Sequence, residues 1–460
     1  MNFKFKLPKA LCSNIFRDAN LKDTKRLLPI GSEAFWVMAS QVGNALGSIL
    51  SIKLLTYLLK PSDFGKLAVA NTIILLITMN IYGPVGQGLM RFWSISVNKG
   101  QLTQYEKITQ GTLRLLFVIV LFLSIIGYLV IRLTKLRQWA LIFLLSLITG
   151  ALAGWFNARC SILVADRKRK AVAVYNILMA FLKPALAGFL ILLFYSDVNL
   201  VIVGFLAAAF LLSIAIEKYF VSFMRQRCSE CALSSADTDN DTRQLLKAIL
   251  KYSWPFAVWG GFSWMHQSID KWVIQLFYGS AIVGNYAVIS QLALYPLVFG
   301  ANFLSLMFLP IAYSRAGTLN SQISVKSATR IVSLMTFVYI IGALLLIVVF
   351  KFFNRQLVLL ISNESYLELA YLLPWLCAAW AMFYLGQMLS GFGLLMQKPN
   401  MYVIPVIVCG MVAVLLVAYL SAKVGISGVI WGLGIAGCLY ALWFLYIAIK
   451  LTRTRFEAAG

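Results

Sequence analysis

The sequence predicts an all-α membrane protein of about twelve transmembrane helices in two six-helix bundles, and three observations lead there. Hydrophobic residues make up 61% of the 460-residue chain and charged residues only 12%, against about half and about a quarter in soluble domains. Apolar runs recur along the whole chain, each long enough to cross a hydrocarbon layer of about 30 Å, which takes about 20 residues. One long polar stretch, 221–250, divides these runs into two sets of six. The runs are continuous, without the alternation that membrane β-strands require. Lipid offers the backbone no hydrogen-bond partners, so each run must satisfy its own groups as a helix.

Residues 1–30 are basic and interrupted by Pro8, Asp18, Asp23 and Pro29. They lack an apolar segment ending in a small-residue cleavage site, so they read as a cytoplasmic tail rather than a signal peptide. The spans follow at 31–58, 66–83, 112–132, 139–157, 171–194 and 198–217, an N-terminal bundle over 31–220. Residues 221–250 form a cytoplasmic linker. The second bundle, 251–450, holds spans at 253–277, 284–309, 330–350, 369–391, 401–420 and 427–449, before a cytoplasmic tail over 451–460.

The net charge of +24 raises nucleic acid as a partner, but the distribution of Lys and Arg argues against it. They concentrate in the tails and in the loops on one side, as cytoplasmic loops do. One loop on the other side, RLTKLRQ at 132–138, runs against the pattern. No folded basic module with base-stacking aromatics accompanies the charge. The cluster ADRKRKAVAVYN at 165–176 reads as a topology signal facing anionic headgroups. Of the seven cysteines, Cys228 and Cys231 make a lone C-x-x-C, too few ligands for a zinc site, which needs four. No metal and no other cofactor is expected. No paired carboxylates and no Gly-rich nucleotide loop appear, so no catalytic residues are assigned.

The halves repeat. A shift of 219 positions lays DFGKLAVA at 63–70 on IVGNYAVI at 282–289, matching Gly65 with Gly284, Ala68 with Ala287 and Val69 with Val288. The same shift lays Asn44, Ser48 and Ser51 of the first span on Ser263, Gln267 and Asp270 of the seventh. Spacings of four and three put each set on one helical face. Two equivalent polar stripes suggest two faces turned to one central space; the alternative is hydrogen bonding that glues helices together.

Charges inside the spans sharpen this. Lys183 lies about twelve residues, or roughly 18 Å, from either end of the fifth span, beyond the reach of a snorkelling stem. Pro184 follows it and is expected to kink the helix. Lys183 is therefore the first candidate for a substrate contact, with a structural lysine bound to a backbone carbonyl as the alternative. Asp270 and Lys271 lie nearer the outer end of the seventh span; as sequence neighbours they point about 100° apart and need not pair. His266, the only histidine, shares a face with Asp270. The two are candidates for proton or ion coupling, or His266 is a packing residue. Lys53 and Arg91 are cavity candidates that snorkelling and surface anchoring explain equally well.

Three stretches carry a resemblance to the Wzx-type flippases, the polysaccharide-transporter branch of the multidrug/oligosaccharidyl-lipid/polysaccharide (MOP) superfamily. YLLKPSDFGKLAVA at 57–70 is similar to that family's L-L-x-P-x-D-F-G-x-x-A stretch, SIDKWVIQLFYGSAIVGNYAVISQL at 268–292 to its I-D-[KR]…V-G-x-Y-x-x-A signature, and GLMRFW at 88–93 to its glycine-then-arginine stretch. Tyr57 stands where many relatives carry arginine, and Ile289 where many carry alanine. The resemblance implies two bundles facing each other in a V that opens alternately to each side of a bacterial inner membrane. It implies an undecaprenyl-pyrophosphate-linked oligosaccharide as cargo, handled within membrane lipids. H⁺ or Na⁺ are candidate coupling ions, and a glycan polymerase and a chain-length regulator are candidate partners.

The chemistry fits independently. Cations in the spans suit a pyrophosphate. Gln41, Asn44, Ser48, Ser263 and Gln267 could bond a glycan, and Trp254, Trp259 and Trp264 could stack on its rings. A drug or cation antiporter of the same superfamily would want carboxylates in the first bundle, whose spans have only Glu33 and Glu217 at their ends. A membrane-bound polymerase or glycosyltransferase would want catalytic residues in large outer loops, and the outer loops are short.

Overall fold

The computed structural model describes residues 24–230, 239–316, 322–396 and 398–457. The expected tail up to residue 23, the centre of the linker and Cys231 lie outside them.

The first half holds α1 (Thr24–Leu58), α2 (Pro61–Ile77), α3 (Gly83–Asn98), α4 (Leu102–Arg132), α5 (Ala140–Ala165), α6 (Arg169–Leu193) and α7 (Val198–Glu230). The second holds α8 (Asp239–Tyr278), α9 (Ser280–Ala316), α10 (Gln322–Ile361), α11 (Leu373–Leu395), α12 (Val403–Val424) and α13 (Ile426–Glu457). A π-helical turn, Thr78–Tyr82, joins α2 to α3, so the two form one rod and the described residues make twelve long helical rods in all. Thr24 and Glu457 therefore lie on one side of the molecule, called the termini side.

Eleven of these spans are long and apolar enough to cross a membrane. The twelfth, α8, is 40 residues long and is not among them, because the polar residues singled out above sit in its span.

Several helices outrun their expected spans. The second was expected over 66–83 and runs from Pro61 to Asn98; 38 residues make about 57 Å of helix, nearly twice the hydrocarbon thickness. The excess falls mainly on the termini side. There, α7 and α8 also extend into what the sequence presents as linker, 221–230 and 239–250. Apolar windows report the thickness of lipid, and helices that continue into water as polar, half-buried turns escape them. The helix α6 continues through Pro184 without a break in its helical assignment.

Local chemistry sets the far-side ends. Lys60 is extended and Pro61 opens α2, where its missing N–H costs nothing. Asp63 sits in the first turn of α2, favoured by the helix dipole, and pairs with Lys66 at 3.0 Å. Gly279, with φ of +82°, makes the one-residue turn from α8 to α9, a conformation that penalises any side chain.

The halves are built alike. In the first, α1 packs on α6, α2 and α3 on α5, and α5 on α7; in the second, α8 packs on α12, α9 on α11, and α11 on α13. Between the halves, α2 packs along α9 and α3 along α8. Small residues allow the approach. A side chain on Gly65 would overlap the carbonyl oxygen of Ser280, and one on Gly284 the carbonyl oxygen of Pro61. A side chain on Gly88 would overlap the Ser253 hydroxyl.

The far side is sealed between halves. Asn363 donates to the carbonyl of Thr56 at 2.8 Å and Tyr366 to that of Leu59 at 2.9 Å. Tyr366 also meets the Phe64 ring edge-on at 5.7 Å. Burial pushes the Tyr366 phenol up, so it stays a donor. On the termini side α1 and α9 instead expose apolar side chains, Phe35, Met38 and Leu46 on one and Leu306, Met307 and Ile311 on the other.

Candidate transport cavity

A cavity of about 600 Å³ lies where the halves face each other. The first half lines it with Asn44, Ser48 and Ser51 of α1, Asn71 and Thr72 of α2, Asn157 of α5, and Asn176 and Lys183 of α6. The second lines it with Gln267, Ser268 and Lys271 of α8, Ser290, Gln291 and Tyr295 of α9, and Tyr384 of α11. Two lysines line it and no carboxylate does.

The two lysines differ in their surroundings. Among the described residues no carboxylate lies within ion-pairing distance of Lys183, and no hydrogen-bond acceptor holds its ammonium. The alternative of a lysine bound to a backbone carbonyl is therefore not what the structure displays. Lys271 reaches back along its own helix to Asp270, with Nζ at 3.0 and 3.1 Å from the two carboxylate oxygens. The long, flexible lysine stem spans the 100° between neighbouring positions, so the pair does form. Asp270 is fully buried and also accepts from the Tyr286 hydroxyl at 2.8 Å. Buried carboxylates need such partners. The net formal charge that the cavity sees is thus set mainly by Lys183.

Asn44, Ser48, Gln267, Lys183 and Lys271 line the cavity as the sequence suggests. Ser263 lines a second, adjoining cavity of about 440 Å³ instead. Four other candidates lie elsewhere. Lys53 is exposed: it stands two residues, about 200°, from Ser51, so it leaves the opposite face of α1. Arg91 is exposed on α3. Asp270 lies behind Lys271 rather than on the cavity wall. His266 is buried in the second bundle, stacked on Phe383 at 4.3 Å, with Trp380 and Tyr440 around it.

The tryptophans divide similarly. Trp254 is exposed, and Trp264 donates to the carbonyl of Thr72 at 2.8 Å. Trp272 donates to the Thr72 hydroxyl at 2.9 Å, so both ties cross from α8 to α2. Trp259 lines the second cavity.

Sequence reading missed Asn71, Asn157 and Asn176 of the first half and Ser290 and Gln291 on α9. The repeat could have found some of them. A shift of 219 positions carries Asn71 onto Ser290 and Thr72 onto Gln291, and all four line the cavity. It also missed a buried node in the first bundle. Arg159 of α5 is unexposed and meets Glu217 of α7 at 2.7 Å and Glu106 of α4 at 3.2 Å. Trp155 donates to Glu217 at 3.0 Å, and the Phe220 ring lies 4.1 Å from the guanidinium. The node joins three helices away from the cavity.

Comparison with known proteins agrees with this geometry. Residues 30–314 match the model of a family described as polysaccharide biosynthesis protein. No curated protein matches the chain by sequence. An inward-facing multidrug resistance MATE family transporter of the MOP superfamily is similar in structure, with a TM-score of 0.68 at 14% identity over 89% of this chain and 96% of its own. The lipid II flippase MurJ, in an inward closed conformation, gives 0.66 at 14% identity over 92% of this chain and 91% of its own. A MOP superfamily transporter from Pyrococcus furiosus, described as having a binding pocket of reverse polarity, gives 0.57 at 15% identity over 91% and 96%. At these identities the likeness establishes the fold, which is that of the MOP superfamily.

Proposed function

Because this chain belongs to the polysaccharide biosynthesis protein family, we propose that it is a flippase for lipid-linked oligosaccharide. Its cargo is an undecaprenyl-pyrophosphate-linked repeat unit. The protein carries it from the cytoplasmic to the periplasmic leaflet of a bacterial inner membrane by alternating access, ahead of O-antigen, capsule or exopolysaccharide assembly. The termini side is cytoplasmic on this reading, because the Lys- and Arg-rich loops lie there.

One observation carries the proposal: the cavity between the halves is lined by two lysines and no carboxylate. A pyrophosphate brings at least two negative charges, for which an ammonium without a carboxylate beside it is a strong partner. The same lining disfavours a cationic drug, the cargo of the rival antiporter reading. The amides and hydroxyls around Lys183 suit sugar hydroxyls, and the exposed termini-side flanks of α1 and α9 leave the polyprenyl chain a route that stays in lipid. H⁺ or Na⁺ coupling, and contact with a glycan polymerase or chain-length regulator, extend the proposal.

The test is deletion of the gene followed by mass spectrometry of polyprenyl-linked glycans. Accumulation of one complete repeat unit on undecaprenyl pyrophosphate, facing the cytoplasm, is expected. An unchanged lipid-linked pool with normal surface glycan would overturn the proposal.

A further inference from the structure

The second cavity differs from the first in chemistry. Its polar lining comes from Ser263 and Gln267 of α8, Asn302 and Ser305 of α9, and Gln387 and Ser390 of α11. No Asp, Glu, Lys, Arg or His lines it. Gln267, Val298 and Tyr384 line both cavities, so the neutral space opens directly off the one that holds Lys183.

Several of its polar groups are unspent. The Ser263 hydroxyl is buried and has no partner. Among the described residues the side-chain amides of Gln267 and Asn302 also have none. Gln387 donates to the Tyr440 hydroxyl at 2.9 Å, which leaves its carbonyl oxygen free to accept. Buried polar groups without partners are uncommon in a settled core. Ser263 is one such group, and with the half-buried Gln267 and Gln387 and the exposed Asn302 it faces one space with aromatic walls, here Trp259, Phe383 and Tyr384, the make-up of a binding pocket.

Resting on the flippase reading above, we infer that this annex binds an uncharged sugar residue of the cargo, while the pyrophosphate stays beside Lys183 and Lys271. Amides and serines offer the mixed donors and acceptors that sugar hydroxyls need, and the aromatic walls suit the apolar faces of a pyranose ring. A volume of about 440 Å³ falls within the roughly 300–1,000 Å³ of small-ligand pockets. A carboxylate-bearing sugar would lose its hydration there without meeting a cation. The annex thus selects neutral hexoses and N-acetylhexosamines over uronic acids.

The purified full chain in detergent would be titrated with farnesyl diphosphate, with farnesyl diphosphates carrying glucose, galactose, mannose or N-acetylglucosamine, and with the glucuronosyl form. At least one neutral probe should bind about tenfold more tightly than the bare diphosphate and the glucuronosyl probe. Asn302→Leu and, separately, Ser305→Ala should erase that advantage and leave bare-diphosphate affinity unchanged. That retained affinity shows the variants are folded. The annex assignment falls if no neutral sugar improves binding, if the glucuronosyl probe binds as well, or if both variants keep the advantage or weaken every probe equally. Binding of no diphosphate at all by the unaltered protein overturns the flippase reading, and the annex with it.

Discussion

Gly65 and Gly284 are placed reciprocally: each is the point where its helix presses on the backbone that precedes the other. Gly65 abuts Ser280, four residues before Gly284, and Gly284 abuts Pro61, four residues before Gly65. Residues related by the internal repeat thus meet across an approximate two-fold axis. Around that axis Asn363 and Tyr366 tie the far side shut.

Gly65→Leu should part this seal. A leucine there has no room without moving backbone, and overpacking of this kind costs about 1–3 kcal/mol. In a cysteine-free background, a Ser290→Cys probe in the cavity should be shielded from a membrane-impermeant thiol reagent on the far side. Adding Gly65→Leu should expose it. Equal labelling with and without the leucine would show that the glycine contact does not hold the seal.

Lys183→Ala should lower flipping in proteoliposomes by about 10- to 100-fold, the value of a charged hydrogen bond of about 1.5–3 kcal/mol. Insertion should be unaffected, since among the described residues the lysine has no partner to lose. Lys183→Arg should retain part of the rate. Export at the unaltered rate by Lys183→Ala would remove the lysine from the transport path.

Asp270→Asn keeps an acceptor for Tyr286 and takes the charge away from Lys271. It should lower the thermal unfolding temperature in detergent by less than Asp270→Leu does, while slowing transport. Asp270→Leu removes both partners and should destabilise the protein by about 3–5 kcal/mol. Identical melting of the two variants would show that the Tyr286 bond adds nothing.

Arg159→Leu strands two carboxylates among α4, α5 and α7 and should cost about 3–5 kcal/mol. Replacing Glu106, Arg159 and Glu217 together with leucines should be close to neutral, because no buried charge is then left alone. Thermal unfolding of the single and triple variants checks both values.

The crossings and their far-side turns were legible because lipid imposes a simple rule on composition. The repeat was legible from Gly65 and Gly284, although nothing in the pattern says that the matched glycines touch. Lys183 and the stripe of Asn44, Ser48 and Gln267 stood out because polar groups in apolar helices are costly. The candidates that lie off the cavity wall have a common explanation. Lys53, Arg91, Asp270 and His266 are as polar as the residues that line the cavity, but their helices turn them to the surface or into a bundle, and a helical face is defined only relative to neighbours. Arg159 was hidden because its two acidic partners lie near span ends, far apart in sequence.

The π-helical turn at Thr78–Tyr82 inserts one extra residue into the winding of the second span. Each added residue rotates the remainder of the helix by about 100° about the axis. The stretch before it can therefore face α9 while the stretch after it faces α8, a pair of aspects that an unbroken α-helix would offer only at the expense of one fit. A single phase slip lets one rod close against two different neighbours, one toward each leaflet.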